Sequence, residues 1–348
     1  MLIPSNNNNN NNNFAVRTKL IEQLTVSDVA VIDANLWTMS PPCQPFSNTH
    51  GAKQMDAKDN RSAGFLSILS LLRSLTNSSY RNRKPKWILM ENVAGFHGSE
   101  AWKLWIKCLE DCDYGYREYL LSPTGMGIPN HRTRYYTIAE LGTDRLGSRK
   151  HHVQINSHLN KAPFHPPCQT FPISQRQIQQ TCAPLHHYLQ NDITTEELET
   201  LLVPSSTLSK PWAKNLPVVT PFDCHSHCFT AAYARRLHRA TGSLLLMPPP
   251  ILSNNHNDPN TNNTNTNNHE SSWGIPLTKC PLDRSDMTKY ANRLRRFSTL
   301  ELLNLFGFPS TFDFPPDISL EHKYKLIGNS INVSVVTQLM TELLLPIL

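Results

Sequence analysis

Apolar and polar positions follow two rhythms in this chain, one before about residue 142 and another after it. Residues 19–31 are mixed, and Thr25-Val-Ser-Asp28 reads as a helix start. Ala30-Val-Ile32 and Leu36-Trp-Thr-Met39 read as short buried strands, the second stopped by Ser40-Pro41-Pro42. Apolar residues at helical spacing predict an amphipathic helix over 65–75, followed by a polar, basic loop over 77–86. Trp87-Ile-Leu-Met90 is an apolar strand running straight into Glu91-Asn92. A helix over 101–112 and strands over 116–121 and 134–141 complete the first part. This alternation predicts an α/β fold with a parallel sheet.

From about 142 to 221, Pro, His, Gln and Ser dominate, and only 194–202 reads as a helix, so a loop-rich second domain or large insertion is expected. Regular pattern returns late. Ser298 with Glu301 three residues on forms a capping box for a helix over 298–305, which Gly307-Phe308-Pro309 stops. A final amphipathic helix is expected over about 331–345, after Gly328-Asn329-Ser330.

Composition adjusts this picture modestly. The 348 residues hold 33 Lys and Arg against 27 Asp and Glu, a net charge of +6, and 39% are apolar. That apolar share is slightly low for a compact domain, and part of the deficit is local. Residues 6–13 are an unbroken Asn run, and an Asn/Thr tract fills 254–268. Neither can bury enough apolar area to offset ordering entropy, so both are expected to be disordered. Roughly 300 residues remain to build a core. No stretch approaches the ~20 apolar residues of a membrane span. The first residues, Met-Leu-Ile-Pro and then Asn, lack the basic region and apolar core of a secretory signal. Eight Cys at irregular spacing suit a reduced protein of the cytoplasm or nucleus. The mild positive charge is compatible with a polyanionic partner.

Three short segments carry candidate chemistry. Pro-Pro-Cys-Gln occurs at 41–44 and again at 166–169. The first directly follows strand residues, so Cys43 is presented at the carboxyl edge of the sheet, where α/β folds place their chemistry. The second, around Cys168, lies in a polar, Pro-rich stretch and is read as coincidence. A lone Cys is usually a small buried hydrophobe, but the rigid Pro-Pro bracket marks Cys43 as a candidate nucleophile. Glu91 closes an apolar strand, where it is exposed at the sheet edge, caps a helix, or is desolvated and able to donate a proton to a ring nitrogen. Arg132 and Arg134, at i and i+2, fall on one side of a strand. Their guanidinium forks suit phosphate or a base carbonyl, although such a pair is most often a solvated edge. Cys224-His225-Ser226-His227-Cys228 invites a metal, but these side chains are too close in sequence to surround one tetrahedral ion, and no metal is expected. Neither Pro-Cys continues as Pro-Cys-x-x-Cys, which excludes a zinc nucleobase deaminase.

Taken in order, Pro-Pro-Cys-Gln-Pro-Phe at 41–46, Glu-Asn-Val at 91–93, Arg-x-Arg-Tyr at 132–135 and Gly-Asn-Ser-Ile-Asn-Val at 328–333 resemble the motif series of the cytosine carbon-5 methyltransferase superfamily. Leu-Ser-Pro-Thr at 121–124, Gly-Ile-Pro-Asn at 127–130, Cys-Phe-Thr at 228–230, Thr-Gly-Ser at 241–243 and Phe-Gly-Phe-Pro at 306–309 are similar to its tRNA-directed branch, the type 2 homologues. So is Tyr-Lys-Leu-Ile-Gly-Asn-Ser at 324–330. The resemblance covers about 19–141 and 228–348.

The resemblance implies an α/β, Rossmann-like class I S-adenosylmethionine-dependent methyltransferase fold with a small target-recognition domain. It divides the chain into a disordered tail (1–13), a catalytic domain (14–141 with 290–348) and a target-recognition region (142–289) with a disordered insertion at 253–270. It implies methyl transfer to carbon 5 of a cytosine at position 38 in the anticodon loop of tRNA-Asp, with DNA as the other substrate, by a protein expected to be a monomer. Cys43 would add to carbon 6 of the ring, Glu91 would bind ring nitrogen 3 and the exocyclic amine, and Arg132 and Arg134 would hold the base carbonyl and a neighbouring phosphate. Gln44, Asn92, Cys228 and Thr230 are implied on the substrate side. Ile21, Pro41, Asn329, Ser330 and Val333 are implied on the cofactor side. One departure stands out. The superfamily opens on a strand ending in Gly-x-Gly-Gly, which cradles the methionine part of the cofactor, whereas here the match begins at Lys19-Leu-Ile-Glu22, similar to the third motif. Asn35 also stands where the family usually has Asp. The first strands are therefore expected to be missing, leaving an unpaired sheet edge and weak cofactor binding. The competing expectation is a nucleic-acid-binding remnant that kept the base pocket and lost the transfer.

Overall fold

The computed structural model of the chain describes residues 2–4, 14–16, 19–42, 62–142, 182–238, 240–248 and 282–344. Cys43, Gln44, the Asn run, the second Pro-Pro-Cys-Gln and the Asn/Thr tract lie outside the described residues. At the start of the chain, β1 (Leu2–Pro4) pairs antiparallel with β2 (Phe14–Val16).

Helix α1 (Val26–Ile32) begins where the sequence places it, with a reciprocal capping box between Thr25 and Asp28. It then runs through Ala30-Val-Ile32, so the expected strand there is helix instead. An apolar triplet has no period of its own, and the cap upstream decides it.

The main sheet is built from β3 (Leu36–Met39), β4 (Trp87–Val93), β5 (Tyr114–Leu121) and β6 (Arg134–Leu141), in the spatial order β3-β4-β6-β5. Only β3 and β4 are parallel. Strand β6 lies between β4 and β5, antiparallel to both, so the all-parallel sheet expected from the alternation is corrected to a mixed one. The 122–133 connection contains a short 3-10 turn and no crossover helix of the kind a parallel pair needs. The outer edge of β3 has no partner among the described strands.

Period-two alternation divides the sheet residues between two layers. Ile88 and Met90 of β4 and Tyr135 and Ala139 of β6 pack under α2 (Ala63–Thr76) and α3 (Glu100–Asp111), with Phe65, Leu69, Trp105 and Leu109. Leu89, Tyr136 and Ile138 face the other way, onto α8 (Val333–Leu344), through Val335, Leu339 and Leu343. Each such fully buried side chain contributes about 1.5–3 kcal/mol. The C-terminal helix thus returns to close the sheet, as the resemblance implies.

The second region contains α4 (Thr195–Leu201), α5 (Ser205–Leu208) and a small sheet of β7 (Val218–Val219), β8 (Leu244–Leu246) and β9 (Leu294–Arg295). Helix α6 (Thr299–Phe306) has the expected capping box and ends at Gly307, whose φ of +74° suits a residue without a Cβ. Helix α7 (Leu320–Asn329) was not expected. Its surface is largely Glu, His and Lys, and the signal for it was a single cap, Ser319 accepting from the His322 amide. Helix α8 starts at Val333 rather than 331 because the Asn332 carboxamide accepts the Val335 amide. No helix among the described residues is long and apolar enough to cross a membrane.

Candidate active site

The parallel register sets Met39 beside Met90, and the strands then deliver Ser40 and Glu91 together at their carboxyl ends. The Ser40 hydroxyl donates to Glu91 Oε2 at 2.5 Å. Arg134, the first residue of β6, pairs with Val93 in the ladder and brings its Nε to 3.4 Å from Glu91 Oε1. Glu91 is only 7% exposed, so it does not stand open to solvent at the sheet edge. Asn92 donates to the Pro41 carbonyl at 3.4 Å and accepts the Val93 amide at 2.8 Å. It therefore ties the Pro41 backbone to the end of β4.

Arg132 is not on a strand. It precedes β6 in an extended connection, so the expected same-face pair of arginines does not form by strand geometry. The backbone amide of Arg132 donates to the Ser122 hydroxyl, and its side chain turns into the protein, where the residue is 4% exposed. Nη1 donates to the Phe229 carbonyl at 2.9 Å, and Nη2 donates to the carbonyls of Gly328 at 3.1 Å and Ser330 at 2.7 Å. The guanidinium also lies 5.1 Å from the centre of the Phe306 ring. Burial lowers its pKa from the ordinary arginine value, and the neighbouring Arg134 adds to that.

Cys228 joins this group from the second region. Arg132 Nη1 donates to its sulfur at 3.4 Å and Arg134 Nη2 at 3.9 Å. Its loop is bolted to the 129–131 segment: the Ser226 hydroxyl donates to the Pro129 carbonyl at 2.7 Å, and the His131 amide donates to the Ser226 carbonyl at 2.9 Å. Asn130 donates to the Ser226 hydroxyl and the His227 carbonyl. The cysteines and histidines of 224–228 thus belong to a clamped loop, and no group of three or more His, Cys, Asp or Glu among the described residues could hold a metal ion. Thr230 bonds the Thr241 carbonyl through its amide and lies against α7. There, a Cβ on Gly328 would fall 2.2 Å from the Thr230 carbonyl carbon. Only glycine permits this approach.

The residues expected on the cofactor side form two groups. Ile21 lies on a short 3-10 turn and is 40% exposed, with Leu20 exposed beside it. Asn329 and Ser330 close α7, and Val333 opens α8, next to Arg132. Asn329 is exposed at a helix end, while the Ser330 hydroxyl is used by the Ile327 and Ile331 carbonyls. An exposed apolar turn and an exposed carboxamide fit the nucleoside end of a methyl donor. Pro41 is buried under Asn92. Ser40, Ser122, Phe306 and Gly328 also belong to the site; the last three lie in segments that resemble the family's motifs, but no site role follows from their residue types. For Ser40 the available signal was its position one step beyond β3, opposite Glu91.

Comparison with known proteins places this geometry. The model of the C-5 cytosine-specific DNA methylases matches residues 6–344. The human protein named tRNA (cytosine(38)-C(5))-methyltransferase is 31% identical over 361 residues, covering 92% of this chain and 85% of that protein. The Dictyostelium discoideum protein named DNA (cytosine-5)-methyltransferase is 29% identical over 352 residues, with 94% and 82% covered. The crystal structure of S. pombe Dnmt2 methyltransferase superposes with a TM-score of 0.64 at 28% identity, covering 95% of this chain and 83% of that one.

Proposed function

The chain belongs to the C-5 cytosine-specific methylase family, and from that premise we propose that it methylates carbon 5 of a cytosine in tRNA, at position 38 of the anticodon loop, with tRNA-Asp as the preferred target. The observation that carries this reading is the convergence of Glu91, Arg134 and Cys228 at the carboxyl end of β4, where Asn92 also bonds Pro41, two residues before Cys43 in the sequence. The named tRNA methyltransferases at about the same identity over most of their length support the choice of RNA.

In this reading the Cys43 thiolate forms a bond to carbon 6, and the electron pair of the 5,6 double bond becomes available at carbon 5. Glu91, already oriented by Ser40 and Arg134, holds ring nitrogen 3 and the exocyclic amine while charge develops on the ring. Arg134 directs its positive charge to the base carbonyl. Bound S-adenosylmethionine, the donor this family uses, would supply the methyl group to carbon 5 and leave as the thioether S-adenosylhomocysteine, and Ile21, Pro41, Asn329, Ser330 and Val333 would hold it. Loss of the carbon-5 proton to a base then restores the double bond and expels Cys43. A loop nucleotide suits such a pocket because turning it out of its stack costs least there.

A second reading, a protein that binds nucleic acid without transferring methyl groups, draws on the outer edge of β3, which has no partner among the described strands. Transfer of labelled methyl from S-adenosylmethionine to tRNA, lost in Cys43→Ala, together with a covalent complex trapped on 5-fluorocytosine RNA, supports the enzyme. Tight tRNA binding with neither signal selects the second reading, and methylation of DNA in preference to tRNA moves the substrate to the other named branch.

A further inference from the structure

The family resemblance gives the two arginines of Arg-x-Arg, Arg132 and Arg134, a shared role toward substrate. Their surroundings differ. Arg134 meets a carboxylate at the mouth of the site, whereas Arg132 is turned inward and spends both terminal nitrogens on three backbone carbonyls. Two of these belong to the end of α7, at Gly328 and Ser330, and the third is Phe229, between Cys228 and Thr230. These segments are about 100 residues apart in sequence, and the guanidinium is the group that bonds both. Gly328 brings them into van der Waals contact, and the Phe306 ring closes the remaining side. A carbonyl is satisfied by this bond as fully as by a ladder partner, so a planar fork reaching three of them defines their relative positions.

We infer that Arg132 is a positioning residue rather than a substrate contact: it locks the Cys228-Phe229-Thr230 loop onto the end of α7 and thereby sets where the Cys228 sulfur stands relative to Glu91 and Arg134. It does so at the junction between the residues assigned to base and those assigned to donor, so one side chain ties both half-sites to the segment that leads into β6. The tRNA-dependent part of this role rests on the function proposed above.

The test uses the full chain with Arg132→Met and, because the first variant can fail to fold, Arg132→Lys, which keeps the cation and loses the fork. The rate at which iodoacetamide labels Cys228, read by peptide mass spectrometry, rises about tenfold in the variants as the loop opens more often. For tRNA, kcat falls at least tenfold with KM within about twofold, since an interaction realised only in the correctly arranged site is lost. The dependence of tRNA affinity on salt keeps its slope. A guanidinium that contacts a phosphate would instead give a slope smaller by about 1 and a raised KM, and that outcome overturns the inference. Unchanged Cys228 labelling in a folded variant overturns it too. If the unsubstituted protein binds no tRNA, the proposed function falls, while Cys228 labelling still decides the role of Arg132.

Discussion

Arg132 and Arg295 are both almost fully buried, one in each region, and they are held in opposite ways. Arg295, at the end of β9, is 1% exposed and meets the fully buried Glu301 with two bonds, at 2.8 and 2.7 Å. Glu301 also accepts the amides of Ser298 and Gln190, so the pair caps α6 and ties it to the 185–190 segment. Among the described residues Arg132 has no acid within hydrogen-bond reach; its guanidinium meets carbonyl dipoles, a sulfur and the Phe306 ring. The Arg295 pair is therefore a closed, neutral unit that builds the fold. Among the described residues, Arg132 and Arg134 bring two guanidiniums against one carboxylate, Glu91, which leaves positive charge at the candidate site. A protein can bury an arginine either to cancel its charge or to keep it, and this one does both.

The comparison breaks most sharply at Glu301. Glu301→Leu leaves Arg295 buried without its counter-ion and is expected to lower unfolding free energy by about 3–5 kcal/mol in urea titrations. Adding Arg295→Met removes the stranded charge and should recover most of the loss, leaving about 1 kcal/mol for the missing cap. A double variant as unstable as the single one would show that the pair is not a closed unit. Next comes Arg132→Met, which strands carbonyls rather than a charge. The same titration should show a smaller cost, about 1–3 kcal/mol, and a cost above that of Glu301→Leu would reverse the contrast. Ser40→Ala removes one bond from Glu91, with an expected change of about 0.5–1.5 kcal/mol in the transition state, or up to roughly tenfold in kcat/KM.

The smallest effect is on pH. Burial lowers the His131 pKa below its ordinary 6.5, against its backbone hydrogen bond, and the nearby His225 lowers it further. Above 6.5 the residue is neutral folded or unfolded, so it contributes no pH dependence. As pH falls below 6.5 the unfolded chain takes the proton first, and stability declines until the folded value is passed. His131→Asn should flatten that part of the curve, as measured by denaturant midpoints between about pH 7.5 and pH 5.5. An unchanged slope would assign the dependence to other groups.

Much of the first region was legible because its segments have a period. The 65–75 helix and the 134–141 strand appear with bounds close to those read from the pattern. Ala30-Val-Ile32 reads as a strand because three residues cannot display a period, and α7 escapes the pattern because only three of its ten residues are buried, one of them a glycine, and no apolar run marks it. Of the site, Glu91, Arg134 and Cys228 were singled out beforehand and the structure gathers them, while Cys43 and Gln44 lie outside the described residues. Gly328 and Ser40 owe their roles to neighbours far away in sequence, Thr230 and Glu91, so their places in a motif and after β3 do not by themselves disclose those roles.

By itself the sequence determined the caps at Thr25 and Ser298, the periodic helices and strands, and the order of the motifs, because each depends on residues within a turn or two of one another. Only the tertiary structure decided that β6 inserts antiparallel between β4 and β5, that Arg134 faces Glu91, and that Arg132 turns inward to bind the ends of two distant segments. Those outcomes depend on which buried carbonyls and charges lack partners once the chain has collapsed, and a buried polar group takes its partner from whatever segment packing brings within reach.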